Sequence, residues 1–128
     1  MKNIKSILII VLISIFVGSL HFVIGPNYKG IFKPFIGGYL IDILLPLNMY
    51  LLSQIALRKH LSVKIARTLG SSAVLLFAFI IEMCQSQGIP LFGSTFDPLD
   101  FVMYALGILL GLSIDFFLID RFENEMAV

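Results

Sequence analysis

Four long apolar runs separated by short polar breaks set the pattern of this chain. The first, Ser6 to Ile24, is interrupted by little more than Ser14, Ser19 and His21. The second, from about Phe35 to Leu57, carries Asp42, Pro46 and Asn48. Proline removes one backbone hydrogen bond, so Pro46 is expected to kink this run and free a carbonyl near Asp42. A third runs from about Thr68 to Gln85. The fourth runs from Asp97-Pro98 to about Ile119, with Asp97 suited to cap a helix and Pro98 to its first turn. The breaks are Gly25–Pro34, the basic stretch Arg58–Arg67, and Ser86–Thr95, which holds no Lys or Arg. About 20 apolar residues cross the hydrocarbon core, and each run approaches that length. The pattern predicts an all-α polytopic membrane protein, a four-transmembrane-helix bundle. A closed barrel would alternate lipid-facing and lumen-facing residues, and these runs do not.

Composition agrees with the pattern. The 128 residues are 59% hydrophobic and 13% charged, with a mean hydropathy of +1.01, values that belong to an integral membrane protein. Residues 1–128 read as one transmembrane domain without an internal repeat. A net charge of +1 offers no basic face to phosphates, which excludes a nucleic-acid partner. Cys84, alone, forms no internal disulfide and reads as a small hydrophobe. Lys2 and Lys5 ahead of an apolar run also resemble a signal peptide. Ser19-Leu20-His21 is a poor cleavage signal, however, and a retained first helix is expected.

Orientation follows from the cations. Lys2, Lys5, Arg58, Lys59, Lys64, Arg67 and Arg121 fall on one side of a four-span arrangement, and Lys29 and Lys33 on the other. Both termini are therefore expected in the cytoplasm, with the protein in the cell membrane and the lipid bilayer as its first partner.

That topology gathers the polar residues. His21, Asp42, Glu82 with Gln85, and Asp97 with Asp100 all fall toward the outer ends of their helices. At a rise of about 1.5 Å per residue, Glu82 lies about one turn below its helix end. The expected result is a polar crevice open to the extracytoplasmic face. Glu82 and Gln85 are three residues apart, and Asp97, Asp100, Tyr104, Gly107 and Gly111 step by three or four along one stripe. Gly107-x-x-x-Gly111 is a small-residue pattern that lets membrane helices approach closely, and Ser71 and Ser72 of the third helix are its expected partner. The cytoplasmic halves read as nearly all apolar.

Each feature also has a plainer reading. His21 can be an interfacial residue, Asp97 a helix cap, Asp42 a lone interfacial acid, and the glycines packing residues. Glu82, Gln85 and Asp100 can form a purely structural buried network. Chemically, paired carboxylates in a low dielectric hold different protonation states and suit general acid–base work on a headgroup or water, with Tyr104 or Gln85 donating. Oxygen ligation of a divalent cation is a second option, whereas the ligands for a zinc site are missing. No Ser-His-Asp order, Gly-rich phosphate loop or His-x-x-x-His spacing is present. Enzyme and non-enzyme readings both stand, and no cofactor is assigned.

Glu82-x-x-Gln85, a short loop, then Asp100-x-x-x-Tyr104-x-x-Gly107-x-x-x-Gly111 resembles the signature of VanZ-like membrane proteins, a family named for a teicoplanin-resistance protein. The match covers about a quarter of the chain. It departs from the family in having Tyr104 where Asn is usual and in lacking the Arg often found before the Asp. The resemblance implies a cell-envelope role, with Glu82, Gln85, Asp100 and Asp97 as the shared site, acting on or binding an envelope lipid or cell-wall precursor. Asp42, on the same side of the bundle, joins Glu82, Gln85 and Asp100 as a candidate catalytic residue by its place in the expected crevice. It also implies a link to glycopeptide resistance. The alternatives are a small transporter or channel subunit, against which the apolar cytoplasmic halves argue, and a structural membrane partner protein.

Overall fold

In a computed structural model that describes residues 4–24, 29–30, 40–89 and 98–127, the chain is a bundle of helices with no strand among the described residues. Helix α1 spans Ile4–Ser19 and continues through a π-helical turn, Leu20–Ile24. Helix α2 spans Leu40–Leu57, α3 Val63–Ser86 and α4 Leu99–Ile114. A second π stretch, Asp115–Ile119, leads from α4 into α5, Asp120–Ala127. Three helical segments are long and apolar enough to cross a membrane: Ile4–Val23, Val63–Ser86 and Leu99–Asn124. The apolar stretch of α2 among the described residues, Asp42–Leu57, is shorter. Leu12, Phe16, Leu76, Phe79, Leu109 and Phe117 lie on the outside of the bundle, exposed. Apolar side chains presented outward in such numbers suit lipid rather than water.

The elements begin and end for local reasons. α3 starts earlier than the apolar pattern predicts, because the Ser62 hydroxyl accepts the Ile65 N–H and caps the helix at Val63. Lys64 and Arg67, expected in a loop, thereby join its first turns. The other end closes with a Schellman arrangement. Ile89 N–H donates to Cys84 O at 2.9 Å and Gly88 N–H to Gln85 O at 3.0 Å. Gly88 supplies the left-handed conformation, φ +83°, that this turn requires. Helix α2 runs unbroken through Pro46. The capping role expected of Asp97 lies outside the described residues, as does the part of the predicted second span that precedes Leu40.

α2 is the central helix, packed against α1, α3 and α4. Leu47, Tyr50 and Leu51 form the middle of the core with Ile10 of α1, Val74 of α3, Ile108 of α4 and Ile119. The glycine stripe explains the closest of these contacts and corrects one expectation. Gly107 and Gly111 do not lie on Ser71 and Ser72. Ser71 turns its hydroxyl onto Arg67 O of its own helix at 2.8 Å, and Ser72 is exposed. The stripe packs on α2 instead. A Cβ on Gly107 would collide with the backbone carbonyl of Ile43, and one on Gly111 would sit 3.0 Å from the Tyr50 ring. A Cβ on Gly70 of α3 would likewise lie 2.7 Å from Ser53 Oγ of α2. Small residues on α3 and α4 thus let both helices close on α2.

This packing predicts opposite outcomes for two glycines. Gly107→Ala forces α4 off the Ile43 carbonyl and should cost about 1–3 kcal/mol, as overpacking does. Gly18→Ala meets nothing within 4 Å and should leave stability unchanged or slightly raised, since alanine favours the helix. Thermal unfolding of the detergent-purified proteins, followed by helical circular dichroism, separates the two. Equal effects would contradict the assigned packing.

Candidate functional site

At the end of the bundle where α3 stops and α4 starts, the predicted polar residues come together. Glu82 is fully buried on α3. Gln85, three residues on along the same face, is buried beside the Schellman turn, and Asp100 is buried in the first turn of α4. The Tyr104 hydroxyl donates to Glu82 Oε1 at 2.8 Å, a bond between α4 and α3 that lies inside the protein. Asp42, half-buried on α2, and Asp100 both lie within Coulombic reach of the same hydroxyl, as does Glu82. The hydrogen bond is to Glu82, and Asp42 of α2 and Asp100 of α4 lie near it. Helical spacing delivers this arrangement: Asp100 and Tyr104 are one turn apart on α4, level with the last turns of α3.

Beside this cluster lies a cavity of about 550 Å³. Asp42 and Tyr104 line it, as do Ser14 and His21 of α1, Asn48 of α2 and Ala78 of α3. The His21 ring is exposed and meets the Phe22 ring edge-on, with centroids 4.6 Å apart. Deeper in the bundle the Ser14 hydroxyl donates to Asn48 Oδ1 at 2.6 Å, joining α1 to α2. Among the described residues no three His, Cys, Asp or Glu side chains converge closely enough to hold a metal ion. Acceptors and one phenolic donor around a cavity can bind a hydrogen-bonding group and exchange a proton with it.

The other end of the bundle holds a cluster that the sequence pattern did not reveal. Asp115 is completely buried in the π stretch after α4. Its carboxylate accepts the Tyr50 hydroxyl at 2.6 Å, the Arg67 Nε–H at 3.1 Å, and an Nη2–H of Arg58. Arg67 also bonds Asp120 and stacks on the Phe116 ring, 3.8 Å from its centroid. Arg58 Nη1 lies 3.6 Å from Asp120 Oδ1, and its Nε–H donates to Gln54 Oε1 at 3.1 Å. Gln54 in turn donates to Ala66 O at 2.9 Å. Two arginines and two aspartates balance in charge. The expectation that this half of the bundle is nearly all apolar is thus corrected. Asp115 sits inside an apolar run, and Arg58 and Arg67 read as loop cations until the α2–α3 turn brings both back over it. The available signal was the spacing from Gly111 to Asp115 to Ile119, which continues the buried stripe by fours. The wider π turn keeps that spacing on one face.

No family model, curated protein or solved structure matches the chain. The site must be read from its own chemistry.

That chemistry predicts different costs for two partners at the Asp115 end. Asp115→Ala removes the buried acceptor shared by Arg58, Arg67 and Tyr50 and leaves Asp120 alone to balance both arginines, which should cost about 3–5 kcal/mol. Tyr50→Phe removes one neutral donor and should cost about 1–2 kcal/mol. Unfolding midpoints of the two purified variants check the order, and a larger loss for Tyr50→Phe would contradict it.

Proposed function

We propose that this chain is a VanZ-like integral membrane protein of the cell envelope, whose Glu82 cluster binds or modifies an envelope lipid or cell-wall precursor. The observation that carries the reading is the bond from Tyr104 to Glu82 between α4 and α3, with Asp42 and Asp100 near it beside the cavity. Ionisable side chains this deep in apolar helices are costly, and by default they mark function. In this reading Glu82 and Asp100 exchange protons with a bound headgroup or water. Gln85 and Asp42 orient it, and Tyr104 sets which carboxylate holds the charge. The chain spans the membrane four times with both termini in the cytoplasm, which puts the cluster in the outer leaflet. The seven-to-two distribution of Lys and Arg supports that orientation, and the apolar run of the sequence that contains α2 is the remaining span.

The transporter or channel reading draws on one observation, the second buried polar cluster at Asp115. That cluster argues against it on closer view. Asp115 is held by two arginines and a tyrosine, so its carboxylate is not poised to pass an ion inward.

The test is complementation in a strain lacking the protein. Glu82→Gln and Asp100→Asn keep size and much of the hydrogen bonding while removing acid–base capacity. Both should reach the membrane at near-normal levels yet fail to restore glycopeptide susceptibility or envelope lipid composition. Reporters fused after Gly30 and Gly88 in the same strain should lie outside, and one after Leu61 inside. Full complementation by both variants would leave a structural partner protein as the better account.

A further inference from the structure

The cavity beside the Glu82 cluster is also lined by an amide that takes no part in the cluster. Asn48 of α2 borders it, together with Ser14 of α1. Asn48 Oδ1 accepts the Ser14 hydroxyl at 2.6 Å, and no other hydrogen bond ties the Asn48 side chain among the described residues. An asparagine amide carries two N–H donors beside its acceptor. Ser14 Oγ lies 2.9 Å from Ile10 O as well, so its proton has two acceptors within reach. Turning the amide round, so that it donates to Ser14, would still leave one N–H over. In either orientation an Asn48 N–H has no protein acceptor among the described residues, on a side chain that borders open space.

We infer that Asn48 binds the carbonyl oxygen of an uncharged lipid ester lodged in this cavity. The neighbours of Asn48 decide what it can hold. Val17 of α1, Leu45 and Met49 of α2, and Val74 and Phe77 of α3 line the space with apolar side chains. A buried water is held by about three hydrogen bonds. Asp42 stands about 9 Å along α2 from Asn48, and His21 about 10 Å along α1 from Ser14, at about 1.5 Å per residue. A water on Asn48 is therefore short of partners within the described lining. A carbonyl asks less, because it accepts and has nothing to donate, and one N–H satisfies it. An ion would meet only a neutral amide and a hydroxyl at this level, and a buried charge needs a paired partner. An ester places its carbonyl between hydrocarbon segments, which the apolar walls match, and about 550 Å³ is a size that small-molecule sites have. This inference rests on the proposed lipid-handling function and names the part of the lipid that is recognised.

The test uses methyl laurate as the probe. The full chain is purified in a maltoside detergent, which has no carbonyl, and equilibrated with the ester, and binding is measured as the excess over protein-free micelles. A difference infrared spectrum between ester labelled with carbon-12 and with carbon-13 at the carbonyl isolates its band. The wild-type protein should bind the ester saturably, with the carbonyl band displaced to lower frequency relative to ester in micelles, as hydrogen bonding requires. Asn48→Leu should lose the displaced band and bind several-fold less ester. Gly18 lines the cavity too, and a Cβ there meets nothing within 4 Å. Gly18→Leu should therefore fill space and cut binding several-fold, which gives a second variant should Asn48→Leu fold poorly. No saturable binding, or a wild-type band at the micelle position, would overturn the inference. A displaced band that persists in Asn48→Leu would assign the carbonyl to water or another donor and overturn it equally. Complementation is read separately. If the Glu82 and Asp100 variants fail to complement and no ester binds, this inference alone falls; if both complement fully beside a displaced band that depends on Asn48, the acid–base reading alone falls.

Discussion

A carboxylate with no exposure to solvent is tolerable in an apolar bundle only when donors surround it, and Asp115 is placed that way. Its donors come from the middle of α2, from the turn that follows α2, and from the second turn of α3. Meeting that one requirement fixes how the α2–α3 connection folds back and sets α2, α3 and α4 in register. Charge balance comes from Asp120, which answers both arginines, and Phe116 covers the Arg67 guanidinium. With one end of the three helices pinned, the glycine contacts on α2 determine how closely α3 and α4 approach it. The two effects act together: the ionic cluster sets register, and the small residues set distance.

The consequence appears at the other end. Once α3 and α4 are both held against α2, Glu82, Tyr104 and Asp42 converge from three helices without any of them being a loop residue. Sites on packed helices hold their geometry better than sites on loops. The Schellman turn at Gly88 ends α3 just beyond Gln85, which keeps the cluster within the last turns of the helix. The bundle thus separates two kinds of buried polarity. At Asp115, cations and anions neutralise one another. Around Tyr104, a buried carboxylate accepts a phenolic hydroxyl between two helices, and a cavity opens beside that bond.

Much of this was legible in the residues. Hydrophobic run length identified the helices, and the steps of three and four from Glu82 to Gln85 and from Asp100 to Tyr104 identified faces that do meet. Periodicity reports a face, however, and not the neighbour that covers it. Gly107 and Gly111 were therefore read against α3 when they lie on α2. The start of α3 was read late because Lys64 and Arg67 look like loop residues, while a single cap at Ser62 decides the matter. Asp115 was overlooked for a related reason. Inside an apolar run its function depends on Arg58 and Arg67, and those become its partners only through a turn that hydropathy does not encode.

The central claim is that Glu82 and Tyr104 form one interacting unit between α3 and α4, and a double-mutant cycle tests it directly. Glu82→Met removes the acceptor at similar volume, Tyr104→Phe removes the donor, and the unfolding free energies of both single variants and the double variant are compared in detergent. The account predicts a coupling of about 0.5–3 kcal/mol, the range found for residues in direct contact. Strict additivity of the two substitutions would show that the residues do not act on each other, and would contradict the site described here.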